Sequence, residues 1–397
     1  MTQPPMPPPM PSDDGARTPP PVPPPAPVGD HDAPAEPLHT VCPTCGSQVG
    51  YAPGTTSLRC QSCGGTVDIE AVDATIEEHD YDAWQARHGT VEVASLAEHV
   101  LQCQNCGATT ETKDIAGTCQ FCSGTLIALG HPEGLMRPEG VVPFGVDKRG
   151  AQDAFGKWVT SRWFAPTALK KVNSTEGLAG TYVPHWTYDA QTETDYRGQR
   201  GEYYYVTVTD RVPDGNGGTK TVTRQERRTR WYPARGHVAR FFDDVVVPAS
   251  TRLDDDRLEK MGPWQLADAV PYQPEYLAGY AALRYDVDPD DGSAVARDKM
   301  RDVIRTDCKR DIGGDEQRVS SMDITYSQAM FKLLLMPLWI ATYLYGGKTF
   351  QVMVNANTGE VVGERPYSWL KITAAVVVGL AVAILLIWVF GSGESSG

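Results

Sequence analysis

The sequence predicts an α+β fold with two small four-cysteine zinc ribbons, a mixed α/β body, one C-terminal transmembrane helix and a disordered Pro-rich N-terminus. Three observations lead to this prediction. Eight of the nine cysteines form four C-x-x-C pairs, helical and strand patterns both occur between residues 131 and 366, and residues 372–390 contain no charged side chain. At 397 residues the chain is long enough for two or three folded units.

The N-terminal segment, residues 1–40, is predicted to be a disordered tail. Fifteen of the 31 prolines lie within residues 1–37. Proline lacks an amide donor and fixes φ, so such runs favour an extended polyproline conformation over a packed core. A ligand for a proline-recognising domain is the alternative interpretation.

Charge is distributed unevenly along the chain, whose formal net charge is −14. Residues 1–41 hold one Arg and five acidic residues, which gives −4, and residues 42–130 hold three basic and eleven acidic residues, which gives −8. The N-terminus has neither the basic residues nor the apolar run of a secretory signal. Paired cysteines in such a chain indicate metal ligation in a reducing compartment rather than a disulfide scaffold.

The cysteine pairs define a first ribbon at residues 41–70 and a second at 101–130, joined by an acidic helical linker at 71–100. Fourteen residues separate the pairs of the first ribbon and twelve those of the second. Two such knuckles supply the four thiolates that tetrahedral Zn²⁺ accepts, so two zinc ions per chain are expected, with iron or a redox dithiol as alternatives. The predicted ligands are Cys42, Cys45, Cys60 and Cys63 in the first ribbon and Cys103, Cys106, Cys119 and Cys122 in the second.

These predicted metal sites are structural, because four protein ligands leave no open coordination position for catalysis. The net charge of −8 over the ribbons would repel phosphate, which argues against nucleic-acid binding by the ribbons. A role in docking a protein partner, or a purely structural role, is expected instead.

The body at residues 131–366 contains two helices with apolar positions at helical spacing. The first follows Asp147 as N-cap, and the second carries Cys308 on its apolar face and stops at Gly313, so Cys308 is predicted to be a buried free thiol. Residues 349–362 read as a hairpin. Short echoes, such as Y-V-P-H-W at 182–186 and L-M-P-L-W at 335–339, leave two related subdomains with a boundary near 260 as an open alternative.

Residues 372–390 form the predicted transmembrane helix, followed by a short tail at 391–397. Nineteen residues at ~1.5 Å per residue span about 28 Å of hydrocarbon. Arg365 and Lys371 flank the N-terminal side, so the positive-inside rule predicts a single-pass protein of the cytoplasmic membrane with the bulk of the chain in the cytoplasm.

Patterns that could carry other chemistry are weak. Gly346-Gly347-Lys348-Thr349 lacks the earlier glycine of a phosphate-binding loop, so no nucleotide is expected. Six arginines between Arg224 and Arg240 are predicted to line a solvated strand face, with lipid headgroups or RNA as alternative contacts. His185 is expected to be a core residue rather than a base. Since no catalytic constellation emerges, the chain is not expected to be an enzyme and no catalytic residue is predicted.

A family resemblance rests on the paired ribbons and on several motifs of the body. The motifs are S-R-W-F-A-P-T-A-L-K-K (161–171), Y-V-P-H-W-T-Y-D (182–189), F-D-D-V-V-V-P-A-S (242–250), Y-L-A-G-Y (276–280), R-D-I-G-G-D (310–315) and G-E-R-P-Y-S-W (363–369). In these residues the chain resembles a bacterial family of zinc-ribbon membrane proteins described as TFIIB-type zinc ribbon-containing or primosomal protein N′-like. The resemblance implies recruitment of phage-shock-like or SPFH-type partners during membrane stress.

Taken together, the sequence predicts a non-enzymatic, tail-anchored adaptor. Its zinc ribbons would form a cytoplasmic docking platform for a membrane-associated partner protein, in envelope stress if the resemblance holds. The alternative is a membrane-tethered nucleic-acid-binding protein related to transcription or replication.

Overall fold

A computed structural model describes residues 41–88, 99–103, 109–112, 114–120, 125–127, 136–161, 178–213, 218–345, 348–363 and 369–391. The predicted disordered tail at 1–40 lies outside these ranges. Everything described here belongs to one compact unit that begins at Leu38.

The N-terminal half contains short strands and one short helix. The first ribbon is a three-stranded antiparallel sheet of β1 (Val49–Tyr51), β2 (Ser57–Cys60) and β3 (Thr66–Asp68). The linker forms β4 (His79–Asp80) and α1 (Tyr81–His88), so part of the predicted helical linker is helical. The second ribbon contributes β5 (His99–Gln102), β6 (Thr109–Thr112), β7 (Ala116–Thr118) and β8 (Thr125–Ile127).

The body is built on very long strands. Its elements in chain order are β9 (Gly140–Val141), α2 (Lys148–Thr160), β10 (Leu178–Pro213), β11 (Thr219–Pro248), α3 (Asp255–Glu259), β12 (Val270–Pro271), β13 (Ala281–Ala282), α4 (Pro289–Ile312), β14 (Glu316–Tyr345), β15 (Lys348–Asn355), β16 (Val361–Gly363) and α5 (Trp369–Gly391). Antiparallel β10 lies between β11 and β14 and forms the centre of an eleven-stranded sheet.

All three long strands deviate from regular geometry at one level. The pairing of β10 shifts register between Tyr188 and Ala190 against β11 and between Asp189 and Gln191 against β14, while Asp244 on β11 and Gln328 on β14 have positive φ of 53° and 51°. A bulge bends a strand and increases its twist. The sheet therefore changes direction at this level.

The helices pack as their apolar patterns predicted. Asp147 caps α2 by accepting a hydrogen bond from the Gly150 amide at 2.7 Å, and α2 buries Ala151, Phe155 and Val159. Helix α4 ends at Gly313 and packs its apolar side against Trp186 and Phe331 of the sheet. The prediction that Cys308 is a buried free thiol is confirmed.

The predicted fold class is nevertheless wrong, because the described body is mainly β rather than an even mixture of helix and strand. Local patterns showed the strands as short segments, whereas β10, β11 and β14 have 36, 30 and 30 residues. The echoing motifs also lie side by side in one sheet, since Val183 on β10 pairs with Met336 on β14. The division into two related subdomains near residue 260 stays a prediction.

The predicted membrane span is also wrong. A helix, α5, does cover residues 372–390, but within the described part of the chain no helix is long and apolar enough to cross a membrane. Four further predictions rested on this span and are therefore also wrong: the tail anchor, the single-pass topology, the cytoplasmic-membrane localisation and the membrane partner.

Candidate metal centre

The knuckles of the first ribbon have the backbone geometry that brings paired cysteines together. The Gly46 amide donates to the Cys42 carbonyl at 2.9 Å, and the Gly64 amide donates to the Cys60 carbonyl at 3.0 Å. Gly46 and Gly64 have φ of 70° and 76°, a left-handed conformation that glycine adopts without steric cost. Each turn therefore places the two cysteines of one C-x-x-C pair on the same side.

Four sulfurs converge as a result. The Sγ atoms of Cys42, Cys45, Cys60 and Cys63 all lie within 4.8 Å of one another, and the Cys42–Cys63 and Cys45–Cys60 Sγ distances are both 3.5 Å. Tetrahedral zinc with Zn–S bonds of about 2.3 Å separates its sulfurs by about 3.8 Å. The observed range includes this spacing, so the four residues fit a zinc ion.

The thiols of this site strongly influence one another. The backbone amides of Thr44 and Cys45 lower the pKa of Cys42 to about 6. The Gly65 amide favours ionisation of Cys63, but the other three cysteines outweigh it and raise the pKa of Cys63 to about 12. Accumulated negative charge thus opposes the last ionisation, and a divalent cation would relieve this repulsion.

The second ribbon is described in part. Cys103 and Cys119 are buried in a small cluster with Leu101 and Leu126. Cys106 and Cys122 lie outside the described residues, so the second ligand set stays a prediction.

Both ribbons attach to neighbouring residues of one body segment, residues 276–282. From the first ribbon, the Tyr51 amide donates to the Ala278 carbonyl at 2.8 Å. From the second, the Ile115 amide donates to the Ala282 carbonyl at 2.8 Å, and Ala116 on β7 pairs with Ala282 on β13. The ribbons are therefore parts of the body's packing rather than separate heads on a linker.

The first ribbon also shares its hydrophobic core with the body. Tyr51 lies 5.2 Å from Tyr276 between ring centroids, and Leu58 and Cys60 belong to the same buried cluster as Phe144. Two of the ligands, Cys42 and Cys60, are buried, while Cys45 and Cys63 are exposed. A metal ion bound at the knuckles would thereby be linked through packing contacts to the core that contains Phe144.

Sequence reasoning missed a second cluster of charged side chains at the level of the sheet bulge. Glu78, Asp189 and Asp244 bring carboxylate oxygens within 4.8 Å of one another. Lys332 Nζ lies 2.7 Å from Glu78 and 2.8 Å from Asp244, so an ammonium group already supplies the positive charge of this cluster. The one available signal was the pair Asp243-Asp244 inside the apolar run at 241–249.

His185 occupies the core, as predicted, but with incomplete hydrogen bonding. Its side chain is 1% exposed, Nδ1 contacts the Val183 carbonyl at 3.0 Å, and Nε2 has no partner among the described residues. Burial lowers the pKa of His185 to about 4, so the ring is neutral near pH 7.

Comparison with known proteins gives one informative match. No family model matches the chain, and no solved structure matches it. A curated protein of Bacillus subtilis (strain 168), described as uncharacterized protein YdjG, is 27% identical over 334 residues, which cover 84% of this chain and 91% of that protein. The chain is thus similar over most of its length to a protein whose description assigns it no activity.

Proposed function

We propose that this protein is a non-enzymatic zinc protein that serves as a docking platform for partner proteins. The observation that carries the proposal is the convergence of four cysteine sulfurs, from Cys42, Cys45, Cys60 and Cys63, at spacings that fit tetrahedral zinc. A second zinc ion at Cys103, Cys106, Cys119 and Cys122 is part of the same proposal.

The donor set supports a structural metal. Thiolates are soft ligands that favour zinc over the hard cations calcium and magnesium. With four thiolates in place, the ion keeps no position open for water or substrate, unlike a catalytic zinc ion.

The attachment of the ribbon supports a platform. The metal fixes two knuckles of a segment too small to fold on its own core, and that segment packs onto residues 276–282. The exposed ligands Cys45 and Cys63 place one side of the site at the surface, where a partner can approach a rigid metal-bound loop.

Zinc content tests the metal assignment. Protein purified without added metal should contain about two zinc ions per chain by elemental analysis, and the double variant Cys42→Ser/Cys45→Ser should contain about one. The matched control Cys308→Ser changes a buried cysteine outside the site and should retain the full content. Full zinc content in the double variant would contradict the assignment.

Partner binding tests the platform. Affinity purification of the tagged chain at native expression should recover a specific protein with wild type and with Cys308→Ser, and lose it with Cys42→Ser/Cys45→Ser. A partner retained after zinc loss, or recovery of nucleic acid instead of protein, would contradict the role proposed for the ribbon.

A further inference from the structure

The hairpin of β10 and β11 extends beyond the rest of the sheet. Pairing of β10 with β14 ends at Gly201 opposite Glu316, whereas pairing with β11 continues to Pro213 opposite Thr219. We call residues 202–213 and 219–230 the arm. Twelve residues at ~3.3 Å each make it about 40 Å long.

The two faces of the arm differ in chemistry. Residues directly opposite in an antiparallel pair share a face, and side chains alternate along each strand. One face of β11 thus carries four of the five cations of its arm segment together with Glu226, and the opposite face carries four threonines together with the fifth cation, Arg227. The four cations are Lys220, Arg224, Arg228 and Arg230, and the four threonines are Thr219, Thr221, Thr223 and Thr229.

The contacts within the arm agree with this division. Arg224 pairs with Asp210 at 2.9 Å and Arg228 with Glu226 at 3.2 Å, both on the cationic face. These ion pairs are about half exposed, and exposed pairs contribute about 0–1 kcal/mol at most. Such weak pairs can exchange their carboxylates for those of another chain.

The arm region is basic in an acidic protein. Residues 197–240 contain ten Lys or Arg and four Asp or Glu, a net charge of +6, so the rest of the chain carries −20. The arm is several times longer than the Debye length of about 8 Å at physiological salt. Its outer part is therefore screened from the acidic body.

The outer edge of β11 is open along the arm. Among the described strands β11 pairs with β10 alone, and helix α4 meets it farther along, where Arg240 pairs with Asp307. An edge strand presents unpaired amide and carbonyl groups to a partner strand. Two copies joined through this edge would oppose their own cationic rows, so self-pairing is disfavoured.

The aromatic rings of the arm disfavour nucleic acid as the ligand. Arg227 covers Tyr203 at 4.2 Å, and Arg230 covers Tyr204 at 4.8 Å, measured to the ring centroids. Single-stranded nucleic acids bind by stacking bases on open ring faces. A base would have to displace a guanidinium group at two of the three consecutive tyrosines, and Tyr205, 64% exposed, is a single ring rather than a row for successive bases, whereas a peptide strand can use the free edge directly.

We propose that the arm binds an extended acidic segment of a partner protein, which adds as a strand beside β11. Acidic side chains of the added strand lie opposite the cations of β11, three of which, Arg227, Arg228 and Arg230, fall within four consecutive residues. The ligand is thus recognised by its acidic side chains and by backbone pairing at the open edge. This inference rests on the proposed docking function and names the class of partner.

Two labelled peptides of the same length test the inference by fluorescence anisotropy with the full-length, zinc-loaded protein. One alternates Glu and Thr, Glu-Thr-Glu-Thr-Glu-Thr-Glu-Thr, and is called the alternating peptide, and the other carries Gln at each Glu position. Three cross-strand charge pairs of up to about 1 kcal/mol each predict about tenfold tighter binding of the alternating peptide. Equal affinity of the two peptides would overturn the proposal that acidic side chains are recognised.

Amino-acid substitutions test whether the peptide binds at the arm. The change Arg224→Gln/Arg228→Gln/Arg230→Gln should weaken the alternating peptide about tenfold, whereas Arg301→Gln/Arg305→Gln/Lys309→Gln, which removes three exposed cations of α4, should not. Circular dichroism and zinc content verify folding of both variants. Unchanged binding in the arm variant, or tighter binding of single-stranded DNA than of peptide at the arm, would refute the proposal. Because zinc content is measured separately, failure of peptide binding at the arm can be distinguished from failure of the metal assignment.

Discussion

At the knuckle glycines, backbone conformation decides how much an added side chain would destabilise the folded protein. A Cβ added at Gly64 would meet no atom within 4 Å, and the same holds for Gly156 in helix α2. The two positions differ in φ, which is 76° at Gly64, whereas Gly156 lies within a right-handed helix. Space alone therefore does not predict the outcome of substitution.

Replacing Gly64 by alanine should destabilise the first ribbon by about 1 kcal/mol, because an L residue is strained at this φ. Apparent zinc affinity should fall about fivefold, since metal binding and folding are coupled. Competition with a chromophoric chelator measures this affinity. The control Gly156→Ala should stabilise the protein by about 1 kcal/mol. A loss of stability in this control would mean that the added methyl group does clash with a neighbouring atom.

The carboxyl group of Asp189, at the sheet bulge, should make the stability of the protein decrease as the pH rises. Burial is the main reason that the pKa of Asp189 rises from 3.8 to about 6. The folded protein therefore holds a proton that the unfolded chain releases. The resulting stabilisation is complete below about pH 4 and is lost as the pH rises through about 6.

The variant Asp189→Asn should keep the acceptor for the Asp244 amide and remove the titration. Relative to wild type, its stability should increase by roughly 1–3 kcal/mol between about pH 4.5 and pH 7. Urea unfolding at a series of pH values measures the difference. A stability difference between Asp189→Asn and wild type that stays constant over this pH range would exclude Asp189 as the titrating group.

At the level of elements, helix α2 depends on its cap. The carboxylate of Asp147 accepts the Gly150 amide, and the helix then covers the core beside the first ribbon. Changing Asp147 to alanine should cost about 1 kcal/mol in chemical denaturation, whereas Asp153→Ala, on the exposed side of the same helix, should change stability by less than about 0.5 kcal/mol. Equal costs for the two changes would mean that charge rather than capping stabilises α2.

Elements with local signals could be predicted from the sequence, and those defined by distant contacts could not. The Asp147 cap, the Gly313 stop and the hairpin around Gly359 are encoded within a few residues, and the structure contains all three. The length of β10 depends on pairing with β11 and β14, whose register no local pattern reveals. The contact of Glu78 with Lys332 joins residues 254 positions apart, which periodicity cannot indicate.

In the candidate metal site, too, the ligands could be predicted from the sequence, whereas their attachment to the body could not. Cysteine spacing identified Cys42, Cys45, Cys60 and Cys63, because a knuckle is a local structure. The attachment of the first ribbon to residues 276–282 was not predictable, since it depends on contacts between distant segments, such as the backbone hydrogen bond from Tyr51 to Ala278.

At the scale of the whole molecule, metal binding should control the order of the attached segments. Removing zinc with a strong chelator should increase amide hydrogen exchange at residues 49–51 and 276–282, because the ribbon loses its fold and the Ala278 carbonyl loses its donor. Exchange in the arm should not change, as the arm pairs only within the β10–β11 hairpin. A uniform increase along the chain would indicate global unfolding instead.

The attachment at residues 276–282 also affects how the protein is made on the ribosome. Tyr51 leaves the ribosome 227 residues before Ala278, its hydrogen-bond acceptor. At about 5–20 residues per second, the nascent ribbon waits roughly 10–45 s for the surface that will cover it. If zinc binds as proposed, it is the means by which the ribbon can keep its fold during that interval, so metal supply during translation should set the yield of correctly assembled protein.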